Sequence, residues 1–354
     1  MDERKLRFAV IGCGDFARFF TPYLLQFADV AAVCDPNPQA RRQFLDAIGH
    51  DLPEFAEHER LLDTASVDAV AILSANFTHR EIALAAAARS KHVYCEKAMA
   101  LSVPECWDMV RACEAAGVRL MVGHKRRLRP PWARMIELRR ELGPVLAVTS
   151  CQYFDSRPYN FQGWWTRAAG CGGLLDVADV HIMDWMLAMC GELKSVRAMP
   201  APQIDTRYDF PDTMHVELRF RSGAVASLNA SMSYPLLKFR EAGGPHVVCR
   251  NGGMRFVPFL DHIDLYWQTF DDDAPCHERF DDLGFDHAFA LEVSDFVRWV
   301  REDREPCLTW REGLRCVEAM EAAHRSALEG GTIIQLPLYP ELELPELMHR
   351  YGNA

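Results

Sequence analysis

The first 123 residues alternate short apolar runs with helix-patterned stretches, and this alternation constrains the fold of the 354-residue chain more than any other feature. The runs RFAVIG, VAAVCD, VDAVAILS, HVYCEK and RLMVGH stay apolar at successive positions, so both faces of each strand need cover. The stretches between them, such as DFARFFTPYLLQF, NPQARRQFLDAIG and SVPECWDMVRACEAAG, carry the 3.6-residue period of helices able to supply that cover. Strand–helix repetition of this kind predicts an α/β unit with a doubly wound parallel sheet over residues 1–123.

The rhythm changes after PPWARMIELRREL. Longer β-rich segments follow (VLAVTSCQYFD, MHVELRFRS, AVASLNASMSY), and HVELRF alternates polar with apolar as a half-exposed antiparallel strand does. RSGA reads as a hairpin turn. A helix is expected near 179–190, and two more in FALEVSDFVRWVRE and REGLRCVEAMEAAHRSALEGG. Residues 124–354 are therefore expected to form an α+β domain with a large, mostly antiparallel sheet. A chain of this length divides naturally into two such domains.

Bulk properties exclude several function classes. The net charge of −11 argues against general nucleic-acid binding, and the basic run HKRRLR at 124–129 is too short to make a binding face. The 12 cysteines include no CxxC pair, so metal-ligand spacing is absent and the expectation is reduced, buried thiols in a cytoplasmic protein without metal. MDERKLRFAV lacks the apolar core of a signal peptide, and no apolar run is long enough to span a membrane.

The motif IGCGDFA, between the first strand and the first helix, fits a dinucleotide turn. Gly12 would make the tight turn, Gly14 would admit a pyrophosphate, and Ala17 would let helix pack on strand. The helix N-terminus beyond offers free N–H groups to phosphate. Asp35 ends the second strand, where a carboxylate bonds a ribose diol and repels a 2′-phosphate. Arg41 and Arg42 lie a helical turn or more further on, which favours NAD over NADP. The alternative for Asp35 is a turn or cap residue.

At YCEKAMA the chain resembles the Gfo/Idh/MocA family. SANFTH (74–79), GHKRRLRP (123–130), GGLLDVADVHIMD (172–184), ALEVSDFVRWV and AMEAAHRSALEGG extend the resemblance over essentially the whole chain. It implies a Rossmann domain, then an α+β domain that binds substrate and often forms a homodimer or homotetramer through its open sheet. It also implies hydride transfer between NAD(P) and a secondary hydroxyl carbon of a small carbohydrate, a sugar or polyol. Lys97 matches the family's catalytic lysine, and Asp176 and His181 match its aspartate and histidine. In that chemistry His181 is the base and Lys97 holds the reacting oxygen. Gly12, Gly14, Asp15, Phe16, Asp35, Ser74, Asn76, His79, Glu96, Trp165 and Arg167 fall on the implied cofactor side. Lys125, Arg127, Trp164 and Tyr234 are substrate-side candidates. His181 could equally be a core histidine, and Arg127 a partner of acidic groups at the domain junction.

Two departures stand out. Ala98 replaces the proline of the family's Glu-Lys-Pro, so the loop aiming Lys97 is expected to be shaped differently. The family's Asp-x-x-x-His spacing becomes Asp176-x-x-x-x-His181, with Asp179 two positions before the histidine. Either aspartate can take the acidic role, with Asp176 the preferred one. The same residues also suit a glycosidase or lyase working through a transient 3-keto sugar, and the departures leave room for a non-catalytic NAD-binding protein.

Overall fold

The computed structural model describes residues 4–159, 161–235, 243–259, 261–281 and 284–342. The chain begins with β1 (Arg7–Ile11), α1 (Asp15–Phe27), β2 (Asp29–Cys34), α2 (Pro38–Ile48), β3 (Glu54–Phe55), α3 (His58–Thr64) and β4 (Ala69–Ile72). It continues through α4 (His79–Ala87), β5 (His92–Cys95), α5 (Val103–Ala115) and β6 (Leu120–Val122). The six strands pair in parallel in the order β3-β2-β1-β4-β5-β6. This is the Rossmann order, and its direction reverses between β1 and β4, where the carboxyl ends of the strands open a crevice for ligands. The apolar runs are buried as their patterning requires: Ala9, Val10, Val70 and Ala71 have no exposed surface. Neither β3 nor α3 was expected from the sequence, because a strand of two residues and a helix of seven are too short to establish a period.

The rest comprises α6 (Pro130–Leu142), β7 (Val145–Tyr153), α7 (Ala168–Cys171), α8 (Val180–Cys190), β8 (Leu193–Pro200), β9 (Thr213–Phe220) and β10 (Val225–Ser231). There follow β11 (Gly243–Cys249), β12 (Gly252–Pro258), β13 (Ile263–Thr269), β14 (Cys276–Phe280), α9 (Phe285–Glu302), α10 (Trp310–Leu328) and β15 (Ile334–Gln335). A nine-stranded sheet runs β14-β13-β12-β11-β7-β10-β9-β8-β15. Its neighbours are antiparallel except β7 and β10, which are parallel. The RSGA hairpin joins β9 to β10, with Gly223 at φ 91°.

Two helices late in the chain reach back to the first sheet. Helix α9 packs against α1, and its Phe289, Val293 and Phe296 share a core with Phe8, Phe20 and Tyr94. Phe8 meets Phe296 at 5.7 Å between ring centroids, and Phe20 stacks on Tyr94 at 5.1 Å. Helix α10 starts at a full capping box between Thr309 and Glu312 and lies against α5, β6, α8 and β8, touching both halves. The carboxyl ends of β5 and β6 are thus enclosed by segments from far along the sequence. The described cysteines are all free, and only Cys276 and Cys307 are exposed. Among the described residues, no helix is long and apolar enough to cross a membrane.

Candidate active site

The glycine turn is built by close approach. Gly12 has φ 96°, and a Cβ there would lie 2.6 Å from the Ser74 backbone nitrogen at the end of β4. A Cβ on Gly14 would meet nothing within 4 Å, so the turn opens on that side. Gly14 precedes α1 with no side chain capping the helix, which leaves its first N–H groups free for an anion. These features fit a dinucleotide pyrophosphate. Asp35 fixes the turn directly: its carboxylate accepts from the Cys13 N–H (2.9 Å) and the Asn37 N–H (2.8 Å), while Asn37 itself caps α2. Arg41 folds back further than the sequence spacing suggested, donating to the Asp35 carbonyl (2.6 Å) and to Glu54 (3.0 Å). Asp15 is exposed and paired with Arg18, while Phe16 stacks on Phe20 at 5.8 Å.

Beside the turn, the SANFTH segment joins other parts of the site. The Ser74 hydroxyl bonds that of Thr78 (2.7 Å). Asn76 donates to the Cys171 carbonyl at 3.0 Å, tying the first sheet to α7. His79 has no exposed surface, and its two ring nitrogens lie 2.9 Å from the Ala98 carbonyl and 3.1 Å from the Ser74 carbonyl. It therefore acts by clamping the loop after β4 to the loop that carries Lys97.

Lys97 follows β5 and Glu96. The Glu96 carboxylate accepts from the Lys97 backbone N–H (2.8 Å), and the Lys97–Ala98 peptide is cis, the isomer expected to call for proline. The Lys97 ammonium donates to the Val177 carbonyl at 3.4 Å, so it meets the GGLLDVADVH segment. Burial lowers its pKa below the ordinary lysine value, against the pull of Glu96, Asp176 and Asp179.

That segment holds the answer to the altered spacing. Leu175–Asp179 form a π-helical turn leading directly into α8. A π turn closes between residues five apart, so the extra residue is taken up locally and Asp176 and His181 fall one π turn apart. The two aspartates then differ sharply. Asp176 bonds the Nε2 of His324 on α10 at 2.9 Å. Asp179 has no exposed surface, and neither of its carboxylate oxygens has a hydrogen-bond partner among the described residues. Burial raises its pKa well above the carboxylate range, opposed by Arg126 and Lys97. His181 also has a buried Nδ1 without a partner among the described residues. Burial first, and then Lys125, Lys97, Arg126 and His124, hold its pKa well below the usual imidazole value, so the ring is neutral at neutral pH.

The remaining candidates divide. The Lys125 ammonium lies 4.5 Å from the Phe289 ring centroid and 5.5 Å from Phe16. Its charged neighbours are Glu96 and Glu292, and burial lowers its pKa. Arg127 is paired with Asp184, with Nε at 2.8 Å from Oδ2 and Nη2 on Oδ1, the junction pairing rather than the substrate side. Trp164 stacks on Trp165 at 4.1 Å, and Trp165 on Phe161 at 4.9 Å. Arg167 is exposed beside them. Tyr234 packs against Tyr153 at 5.1 Å, and no described contact joins it to Lys97.

Four residues not singled out in the sequence enter the site: Glu292, His324, Arg126 and His124. Glu292 has no exposed surface, accepts from the Tyr94 hydroxyl at 3.2 Å, and has its pKa raised well above the ordinary value by burial and by Glu96. Its signal was available: it interrupts the apolar stripe Phe289, Val293, Phe296 of α9 with a charge.

An oxidoreductase family with an NAD-binding Rossmann fold matches residues 6–124, and the GFO/IDH/MocA C-terminal domain matches residues 133–252. The inositol 2-dehydrogenase of Acidothermus cellulolyticus is 35% identical over 355 residues, which cover 95% of this chain and 96% of that one. The chain belongs to the Gfo/Idh/MocA oxidoreductase family. The 2,7-anhydro-N-acetylneuraminate hydratase of Escherichia coli is 28% identical over 63% of this chain; the match spans 61% of that relative's length. Among solved structures, the WlbA dehydrogenase of Bordetella pertussis, in complex with NADH and UDP-GlcNAcA, superposes with a TM-score of 0.82 at 26% identity. The superposition covers 95% of this chain and all of that one (100%). As a family member the protein is an oxidoreductase with an NAD-binding Rossmann domain followed by the family's mostly antiparallel second domain.

Proposed function

We propose that the protein is an NAD-dependent dehydrogenase acting on a secondary hydroxyl carbon of a sugar or polyol. The observation that carries this reading is the meeting of Lys97 with the π turn that presents Asp179 and His181. NAD bound at the glycine turn supplies the carbon that takes or gives the hydride with its electron pair. His181, neutral and half-buried, receives the hydroxyl proton as the C–H electron pair leaves and the C=O bond forms. Lys97 donates to the reacting oxygen and holds the charge that develops on it. Asp179 has two carboxyl oxygens with no competing partner among the described residues; in its protonated form one donates and one accepts, which suits a neighbouring hydroxyl of the same substrate. The Asp176–His324 bond fixes the turn.

Asp35 favours NAD over NADP. The guanidinium of Arg41 is already met by Glu54 and the Asp35 carbonyl, so it is committed elsewhere than to a 2′-phosphate. The second sheet exposes Leu146, Val225 and Val248, which supports association of two or four copies through that face. Light scattering checks that association.

The Escherichia coli hydratase favours a second reading, in which transient oxidation acidifies a neighbouring C–H and water is added or a substituent eliminated. Incubation with NAD and a panel of polyols, aldoses and glycosides separates the two. Net NADH accumulation supports the dehydrogenase; product formed with NAD recycled supports the second reading. If NADH quenches the tryptophans but no member of the panel reacts, a non-catalytic nucleotide-binding protein is the better description.

A further inference from the structure

A catalytic imidazole needs something to hold its ring and select its tautomer, commonly a carboxylate bonded to the nitrogen that does not do chemistry. Here that arrangement is missing among the described residues. Asp176, the sequence candidate, is bonded to His324, and the Nδ1 of His181 is buried with no hydrogen-bond partner. Among the described residues His181 has one ring neighbour. His124, which follows β6 and Gly123, packs against it edge to face, with centroids 6.2 Å apart and planes at 90°. His124 has no exposed surface, and both its ring nitrogens lack hydrogen-bond partners among the described residues.

We propose that His124 is a positioning residue for His181, holding the base by edge-to-face ring contact so that its buried edge stays inward and its accessible edge meets the substrate hydroxyl. The inference rests on His181 being the base. Two features explain why contact rather than an ion pair does the holding. The nearest acid, Asp184 on α8, is already gripped by Arg127 through both carboxylate oxygens. The cations Lys97, Lys125 and Arg127 face His124 and oppose a second positive charge there, with Asp184 the acid that offsets them. His181 in turn faces Lys97, Lys125, Arg126 and His124, with Asp176 and Asp179 on the π turn before it and Asp184 on its own helix. From α10, Cys316 approaches Asp184 at 3.9 Å and brings no formal charge, because burial keeps its thiol protonated. The His124 ring thus acts as a dry aromatic wall that holds His181 in one orientation, while burial and the surrounding cations keep it neutral.

The experiment compares His124→Ala, His124→Phe and His181→Ala in the full chain, on whichever substrate of the panel reacts. It reads kcat and KM against pH and the ¹⁵N shifts of labelled histidines in the NADH complex. His124→Ala is expected to lower kcat by about tenfold or more with the NADH affinity unchanged. It should also raise the acid limb assigned to His181 towards the ordinary imidazole value as water enters, and mix its tautomers. His124→Phe, which keeps a ring, restores kcat, the limb and a single tautomer. Should His124→Ala fail to fold, His124→Gln replaces it, with the same loss expected. The proposal is overturned if the ring-deleting variant keeps kcat, the limb and the tautomer of the parent while His181→Ala is inactive, or if His124→Phe loses as much as His124→Ala. If His181→Ala itself retains activity, the base assignment fails first, and the ¹⁵N tautomer of His181 still decides whether His124 holds that ring.

Discussion

His124 gives a sharp quantitative test, because its burial is complete and its pKa is displaced in a known direction. Burial, and the cations Arg127, Lys97 and Lys125, push it from 6.5 down to about 4. Its folded value lies below its unfolded one, so the folded state binds the proton less tightly. The neutral ring's contribution to stability is then present above pH 6.5 and is lost as pH falls towards 4. Linkage over that shift amounts to about 3 kcal/mol in full, of which about 2 kcal/mol is lost between pH 7.5 and pH 5. His124→Phe removes the titrating group and keeps the ring. Urea unfolding followed by tryptophan fluorescence, at pH 7.5 and pH 5 without cofactor, gives a pH-dependent loss for each protein. Taking the difference within each protein cancels the packing change, and other groups such as His79 and the carboxylates contribute equally to both. The variant should lose about 2 kcal/mol less than the parent on acidification. Equal losses would show that His124 reaches water in the folded state, and the dry wall against His181 would go with it.

Other outcomes follow from the same geometry. Lys97→Ala should leave NADH quenching of tryptophan fluorescence intact and cut turnover by roughly 10²–10⁴-fold; full activity would remove Lys97 from the chemistry. Asp179→Asn should raise KM for the carbohydrate more than Asp176→Asn does, because both Asp179 oxygens are without partners among the described residues while Asp176 is bonded to His324; steady-state kinetics read the split. Gly12→Ala should abolish NADH binding, since the new Cβ would sit 2.6 Å from the Ser74 nitrogen at a φ of 96°; retained binding in titration would refute the close approach. Glu292 has its folded pKa raised above 4.5, so its contribution is full below that value and is lost as pH rises; Glu292→Gln should flatten the change in melting temperature as pH is raised above 4.5.

The parallel sheet was legible because apolar strands and amphipathic helices each leave a period, and the hairpin at RSGA because its turn residues are specific. What the sequence hid depends on long-range packing. Glu292 and His324 lie far along the chain from Lys97, on helices whose apolar stripes they interrupt, and nothing local says which distant carboxylate or lysine such a residue will meet. Arg127 was read both ways, and only the position of α8 decides that its guanidinium meets Asp184. Arg41 shows a limit of counting along a helix, since a long flexible side chain returns to Asp35 from a full turn away.

The Asp–His spacing is the most instructive case. Read as a regular α-helix, a separation of five positions puts Asp176 and His181 on different faces, which left open whether Asp176, the preferred candidate, or Asp179 takes the acidic role. The π turn changes that inference. By absorbing one residue it keeps His181 facing Lys97 and frees Asp176 to bond His324, while Asp179 enters as an additional carboxyl. A wholly buried carboxyl without a partner costs stability, by roughly 1–3 kcal/mol even for one unsatisfied acceptor. A fold has no structural reason to keep that cost beside Lys97, and a ligand hydroxyl that satisfies both oxygens, as proposed above, supplies one. The altered spacing is therefore compatible with the proposed active site, and the Asp179→Asn kinetics decide whether the additional carboxyl meets substrate.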